Sequence, residues 1–246
     1  MTEPAPTLSR RTLLGGAAVA AAASMAVTSR GEAAPAPGTS NKAPPSLTPG
    51  QSLAALKQGN REFLAGRLPA PDRDRRRRLE IARAQYPIAV LVSCSDSRVP
   101  PELLFGRGLG ELFIIRNAGN TLDTVAMGSL EYAVSELNVP LVVVMGHERC
   151  GAVAAAVAVV EQGATFAGSI GRMIEPIIPA VLAARSQGKD DLLDASVRAN
   201  VSRTVERLRV ASEPLVLDRI KVGKLRIVGA RYDLDDGVVD FFDEGR

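Results

Sequence analysis

The chain has 246 residues, 46% hydrophobic and 23% charged, which is an ordinary composition for a soluble globular protein and ample for one domain with a sizeable core. The first 36 residues carry three arginines and two glutamates, so the net charge of +3 falls to +2 for the rest. So small a charge argues against nucleic acid as the main partner.

The amino terminus, residues 1–36, is predicted to be an export signal. Arg10 and Arg11 precede an apolar stretch from Leu13 to Val27, and Ala/Pro-rich sequence follows. This arrangement resembles a twin-arginine (Tat) signal peptide. The apolar stretch is shorter than the roughly 20 residues that a membrane-spanning helix needs. We therefore expect cleavage near Gly31, no stable membrane span afterwards, and a mature protein in the periplasm, outside the cell or in the cell envelope; an uncleaved anchor is the alternative.

A linker over residues 37–50 leads into the predicted domain, residues 51–246. Apolar spacing predicts a first helix from Ser52 to Leu64. The basic run from Asp72 to Arg78 follows and contains no aromatic residue. It is interpreted as a solvated face or a subunit contact, not as a nucleic-acid site.

Short runs rich in Val and Ile then alternate with longer segments of helical spacing. The predicted strands are Ile88–Val92, Leu112–Ile115, Leu141–Met145 and Leu225–Val228, and the predicted helices are Leu122–Leu137, Ala152–Val160, Ile170–Ala184 and Leu192–Val210. This alternation predicts an α/β fold with a mostly parallel central sheet flanked by helices. Residues Gly237–Phe242, after a turn-like Asp-Asp-Gly, are expected to add a C-terminal edge strand.

The two cysteines and the one histidine of the chain stand in two short stretches. Cys94 follows the first predicted strand, and His147 and Cys150 follow the third. Open α/β sheets build their sites at these strand ends, and two thiolates with an imidazole suit a zinc-like ion. The alternatives are a Cys94–Cys150 disulfide, which an oxidising compartment favours, and a structural histidine. A disulfide would leave His147 and Asp96 unexplained.

Asp96 and Arg98 lie two and four residues after Cys94. Three protein ligands leave a fourth tetrahedral position, which is typical of catalytic zinc. Asp96 can take that position as a ligand or leave it to water. A bidentate pair with Arg98 would keep the carboxylate away from the ion.

Together, Cys94-x-Asp96-x-Arg98 and His147-x-x-Cys150 resemble the paired C-x-D-x-R and H-x-x-C motifs of the β-class carbonic anhydrases, and the likeness extends from about Leu53 to Phe242. The resemblance implies a β-carbonic anhydrase-like fold and one Zn²⁺ per subunit on Cys94, His147 and Cys150. It also implies reversible hydration of CO₂ to bicarbonate and a proton by a zinc-bound hydroxide, with Asp96 and Arg98 as the catalytic, gating pair.

The resemblance further implies that Gln85 and Gly151 bind the substrate. In the family the active site forms at a dimer interface and the glutamine comes from the partner, so we expect a homodimer or a higher even oligomer. Gln85 and the absence of tryptophan favour the constitutively open subtype, without the regulatory bicarbonate site that uses a tryptophan. The alternatives are a carbonyl sulfide or carbon disulfide hydrolase on the same fold, and a non-catalytic exported zinc-binding protein.

Overall fold

The computed structural model describes residues 47–67, 73–188, 190–210 and 214–245. The predicted signal peptide, most of the linker and the first residue of the basic run lie outside these ranges. Among the described residues, none of the helices combines the length and the apolar character that crossing a membrane requires.

A central sheet carries the fold, and its strands in the described residues follow the order β2-β1-β3-β4-β5. These strands are β1 Ala89–Cys94, β2 Leu112–Asn117, β3 Leu141–His147, β4 Arg226–Tyr232 and β5 Val239–Asp243. The first four are parallel, and β5 pairs antiparallel with β4 at the edge. The predicted α/β fold with a mostly parallel sheet and a C-terminal edge strand is confirmed.

Helices cover both faces of the sheet. They are α1 Pro49–Leu64, α2 Arg75–Ile81, α3 Pro101–Leu104, α4 Thr124–Ser135, α5 Gly151–Gln162, α6 Gly168–Ile174, α7 Ile178–Ser186, α8 Leu192–Val210 and α9 Pro214–Lys221. The first helix begins three residues before the predicted Ser52 because Thr48 and Gln51 form a reciprocal capping box and Pro49 suits the first helical turn.

The prediction of one helix over Ile170–Ala184 is wrong in its middle. A 3₁₀ turn, Glu175–Ile177, separates α6 from α7. Pro176 lies inside this turn and Pro179 lies in the first turn of α7, and each lacks the N–H that an uninterrupted helix would use.

Alternate residues of the central strands face opposite layers. In β3, Val142 and Val144 join the apolar cluster formed with α4, α8 and α9, whereas Leu141, Val143 and Met145 join the cluster formed with α1 and α3. Every residue of β1 and β3 is buried, as expected for parallel strands covered on both faces.

The two predicted site stretches end neighbouring strands. Strand β1 extends to Cys94 and β3 extends to His147, two residues beyond the predicted ends in each case. Because β1 and β3 are adjacent and parallel, their carboxyl ends meet at one edge of the sheet. The fold thereby brings the two stretches together.

Candidate metal centre

Cys94, His147 and Cys150 converge at the carboxyl edge of the sheet. Cys94 ends β1, His147 ends β3, and Cys150 caps the amino terminus of α5. Their ligand atoms all lie within 4.8 Å of one another, and each residue is at most 4% exposed. The two sulfurs are 3.9 Å apart and both cysteines are free. This separation excludes a disulfide bond, whose length is about 2 Å.

The imidazole of His147 is oriented as a metal ligand. Its Nδ1 lies 2.9 Å from the carbonyl oxygen of Glu148 and donates a hydrogen bond to it, which leaves the Nε2 lone pair directed at the two sulfurs. Nε2 is buried and has no hydrogen-bond partner in the part of the chain that the structure describes. Buried polar atoms are rarely left unpaired, and a histidine ligand typically donates its other nitrogen to a carbonyl. Two sulfurs and this nitrogen therefore fit a zinc ion.

The two thiols are electrostatically coupled. The hydrogen bond from Cys150 is the largest cause that lowers the pKa of Cys94 to about 4; burial opposes it, and the N–H of Gly119 adds to it. That N–H lies 3.3 Å from the Cys94 sulfur. The same sulfur–sulfur contact, together with burial, raises the pKa of the Cys150 thiol. A bound dication would favour the thiolate form of both cysteines and release their protons.

Asp96 lies beside the three ligands and is paired with Arg98. Its Oδ1 accepts hydrogen bonds from the Arg98 backbone N–H at 2.9 Å and from Nε at 3.0 Å, and its Oδ2 accepts one from Nη2 at 2.8 Å. Arg98 therefore holds the pKa of the Asp96 carboxyl well below its usual range. Oδ2 is 3.8 Å from His147 Nε2. Of the two arrangements expected for Asp96, the structure contains the one in which the carboxylate pairs with arginine.

Arg116 supports the turn that follows β1 and carries Asp96, a role that the sequence did not reveal. From the end of β2 its Nε donates to the carbonyl oxygen of Cys94 at 2.8 Å, and its Nη2 donates to that of Asp96 at 2.6 Å. Ser93 is its partner in the strand register. In the sequence, Arg116 is visible only as an arginine near the end of an apolar strand. Its role could be predicted only by knowing that β2 lies next to β1 in the sheet.

A second polar network surrounds Glu148 at the rim of the centre. The backbone N–H of Leu234 donates to the Glu148 carboxylate at 3.1 Å. The side chain of Arg231 is 12% exposed and forms ion pairs with Glu148 at 3.8 Å, with Asp194, and with Asp233 at 2.8 Å. These contacts tie the residue whose carbonyl orients His147 to α8 and to the turn after β4. Nothing in the spacing of these residues along the chain indicated this network.

Of the two predicted substrate-binding residues, the structure places Gly151 at the centre and Gln85 away from it. Gly151 is the first residue of α5, directly after Cys150, and a Cβ added to it would meet no atom within 4 Å. Gln85 is exposed and precedes β1, so the length of the strand, roughly 16 Å, separates it from Cys94 in the same subunit. A role for Gln85 in catalysis therefore requires the site of a partner subunit.

Comparisons with known proteins agree with this geometry. A family model described as carbonic anhydrase matches residues 89–239. Carbonic anhydrase 2 of Mycobacterium tuberculosis is 42% identical over 193 residues, which cover 78% of this chain and 92% of that protein. The carbonic anhydrase of Mycolicibacterium smegmatis is 38% identical over 196 residues, with 80% and 94% covered. Among solved structures, the β-carbonic anhydrase of Coccomyxa in complex with acetazolamide aligns with a TM-score of 0.61 and 30% identity, over 77% of this chain and 86% of that one.

Proposed function

The chain belongs to the β-carbonic anhydrase family, and we propose that it catalyses the reversible hydration of CO₂ to bicarbonate and a proton with one Zn²⁺ held by Cys94, His147 and Cys150. One observation carries the proposal: the buried, unpaired Nε2 of His147 faces two coupled sulfurs while a carboxylate–guanidinium pair stands beside them. When bound in a site with an open position, zinc supplies a Lewis acid that lowers the pKa of water towards neutrality.

Asp96 would orient the attacking oxygen. Its carboxylate is ionised because Arg98 holds its pKa low, so near neutral pH it accepts hydrogen bonds and donates none. Its Oδ2 lies next to His147 Nε2 and can accept a hydrogen bond from the attacking oxygen, which aims a lone pair of that oxygen at the CO₂ carbon. Arg98 fixes the carboxylate in this position through two parallel hydrogen bonds.

The walls around the ligands are apolar and suit an uncharged linear substrate. Cys94 and Cys150 belong to one buried cluster with Val153, Ile177 and Val197. A dry wall excludes competing water and strengthens the electrostatic interactions inside the site. We expect bicarbonate, which is charged and well hydrated, to leave through the side on which Arg98 is exposed.

Oligomerisation and export belong to the same proposal. Gln85 could donate an amide hydrogen bond to the substrate only at the site of a partner subunit, so the active protein is proposed to be a homodimer or a higher even oligomer. The twin arginines Arg10 and Arg11 support Tat export to the periplasm or cell envelope. Because that route carries folded proteins, zinc loaded before export would protect both thiols from oxidation.

The test is zinc quantification together with a stopped-flow CO₂ hydration assay on the exported protein. We expect about one zinc per subunit and rapid turnover. Cys150→Ser should lose both the metal and the activity while circular dichroism shows a retained fold. Full zinc content in that variant would refute the ligand assignment, and zinc-loaded wild type without turnover would refute the proposed reaction. Replacing Arg10 and Arg11 by lysine should stop export and leave the activity of the purified protein intact.

A further inference from the structure

A cavity lies at the amino-terminal edge of the sheet, at the opposite edge from the candidate metal centre. Its volume is ≈ 350 Å³, within the range of small-molecule pockets. It lies between the start of α1, the segments that enter β1 and β3, and the end of α9. Most of its walls are apolar, and they include Pro49, Pro87, Ile88, Leu137 and Pro140.

Two cations line this apolar cavity: Arg219 from the last turn of α9 and Lys224, three residues after that helix ends. Arg219 and Lys224 are brought together because the backbone N–H of Lys224 donates to the carbonyl oxygen of Arg219 at 2.9 Å. Within the described ranges, neither side chain forms an ion pair with a carboxylate, whereas Lys221 on the same helix pairs with Asp218 at 3.1 Å. The cavity therefore combines apolar walls with positive charge that the described residues do not neutralise.

The guanidinium of Arg219 is only partly satisfied. Its Nη1 donates to Asn138 Oδ1 at 2.7 Å, but its Nε is buried and has no hydrogen-bond partner among the residues that the structure describes. Cations at the end of a helix complement its dipole, which explains the charges but not a buried, unpaired N–H. Arginine binds a carboxylate with two parallel hydrogen bonds, either through the edge formed by Nε and Nη2 or through its two Nη groups.

We propose that this cavity binds a small amphipathic carboxylate, whose acid group pairs with Arg219 and Lys224 and whose apolar body packs on Ile88 and Leu137. Residues 33–46, which come directly before the described chain, contain one lysine and no carboxylate, so this segment cannot supply the acid. The apolar walls favour an acid with an apolar body over a fully hydrated inorganic anion.

The test is titration of the full protein with 3-phenylpropionate and, separately, with its uncharged amide, followed by calorimetry. We expect the acid to bind at least tenfold more tightly than the amide, because a charge-assisted pair contributes more than a neutral hydrogen bond. Arg219→Gln should weaken binding of the acid about tenfold or more, and Lys224→Gln, at an exposed position, several-fold. Lys221→Gln, the matched control on the same helix, should bind like wild type.

CO₂ hydration measured at the same probe concentrations separates this cavity from the metal centre. Binding in the cavity should leave turnover unchanged, whereas a carboxylate at the metal centre should inhibit it and should still bind to Arg219→Gln. The proposal is overturned if the acid does not bind, if it binds no better than the amide, or if Lys224→Gln and Lys221→Gln bind it equally. Because Lys224 is exposed, this last comparison remains decisive even if Arg219→Gln does not fold.

Discussion

The turn that follows β2 allows a sharp prediction about Gly119. This residue has φ +73° in the 3₁₀ turn Ala118–Asn120, and its N–H donates to the sulfur of Cys94. Its carbonyl oxygen accepts a hydrogen bond from Asn200 Nδ2 at 2.9 Å. A Cβ at this position would lie 2.6 Å from Ile177 Cδ1 and 3.1 Å from Ala152 Cβ. Gly119→Ala therefore introduces both backbone strain and a steric clash next to Cys94, a candidate metal ligand.

The two costs can be estimated separately. A left-handed conformation costs a non-glycine residue about 1–2 kcal/mol, and one extra carbon in a packed core costs about 1–3 kcal/mol, so the free energy of unfolding should fall by roughly 2–5 kcal/mol. Gly163→Ala supplies the matched control because Gly163 has φ +65° and no atom within 4 Å of an added Cβ. In Gly163→Ala the free energy of unfolding should fall by the backbone cost alone, about 1–2 kcal/mol.

Urea unfolding of both variants at one fixed zinc concentration measures the difference, and competition with a chromogenic chelator measures zinc affinity. Gly119→Ala should be at least about 1 kcal/mol less stable than Gly163→Ala and should bind zinc about tenfold more weakly, as for other disturbed contacts around metal ligands. Equal losses of stability in the two variants would show that the turn gives way around the added carbon, and the steric part of the reasoning would then be wrong.

Four further variants test other residues of the site and of the fold. Asp96→Asn should keep zinc but lower kcat about 100-fold in stopped-flow CO₂ hydration; wild-type turnover in this variant would exclude a catalytic role. Gly146→Ala should destabilise the protein by about 1–3 kcal/mol in urea, since an added Cβ would lie 2.8 Å from a side chain of α8. Arg231 lowers the pKa of Asp233 to about 2, with help from the backbone N–H groups of the turn; the stability that Asp233 adds is present above its unfolded-state pKa and is lost as pH falls towards 2, so the advantage of wild type over Asp233→Asn in urea unfolding should shrink between pH 5 and pH 3. Gln85→Ala should leave zinc content unchanged and lower kcat/KM about tenfold, and an unchanged kcat/KM would remove Gln85 from the substrate site.

The sequence sufficed for the fold class and for the three residues that converge as candidate ligands, because both depend on strong local signals. Runs of Val and Ile are long enough to identify buried strands, and soft ligands are so rare in this chain that their position is informative by itself. Cys94 and His147 had to share an edge once their strands were parallel members of one sheet. The position of Asp96 and Arg98 after Cys94 also indicated their pairing, which the structure shows, and the resemblance added their expected catalytic role.

The remaining parts of the centre depend on tertiary contacts and could not be read from spacing. Arg116 reaches Cys94 only because β2 is the neighbour of β1, and strand order has no local signature. The break between α6 and α7 was readable from Pro176, but helical apolar spacing continues across it. The contact of Gly119 with Cys94 needs both a left-handed turn and the exact end of β1 at residue 94, and ends of elements are the least certain part of a sequence-based prediction.

The candidate ligands are held in buried positions, whereas the side chains of Asp96 and Arg98 have room to move. The three candidate ligands are at most 4% exposed and lie on strand ends or at a helix cap, whereas the side chains of Asp96 and Arg98 are 19% and 52% exposed. Arg116 holds the carbonyl groups of Cys94 and Asp96, so the backbone of the turn is restrained while both side chains face solvent. Release of Arg98 would then let the Asp96 carboxylate turn towards His147 through side-chain rotation alone. A gate of this kind can close without any movement of the ligands.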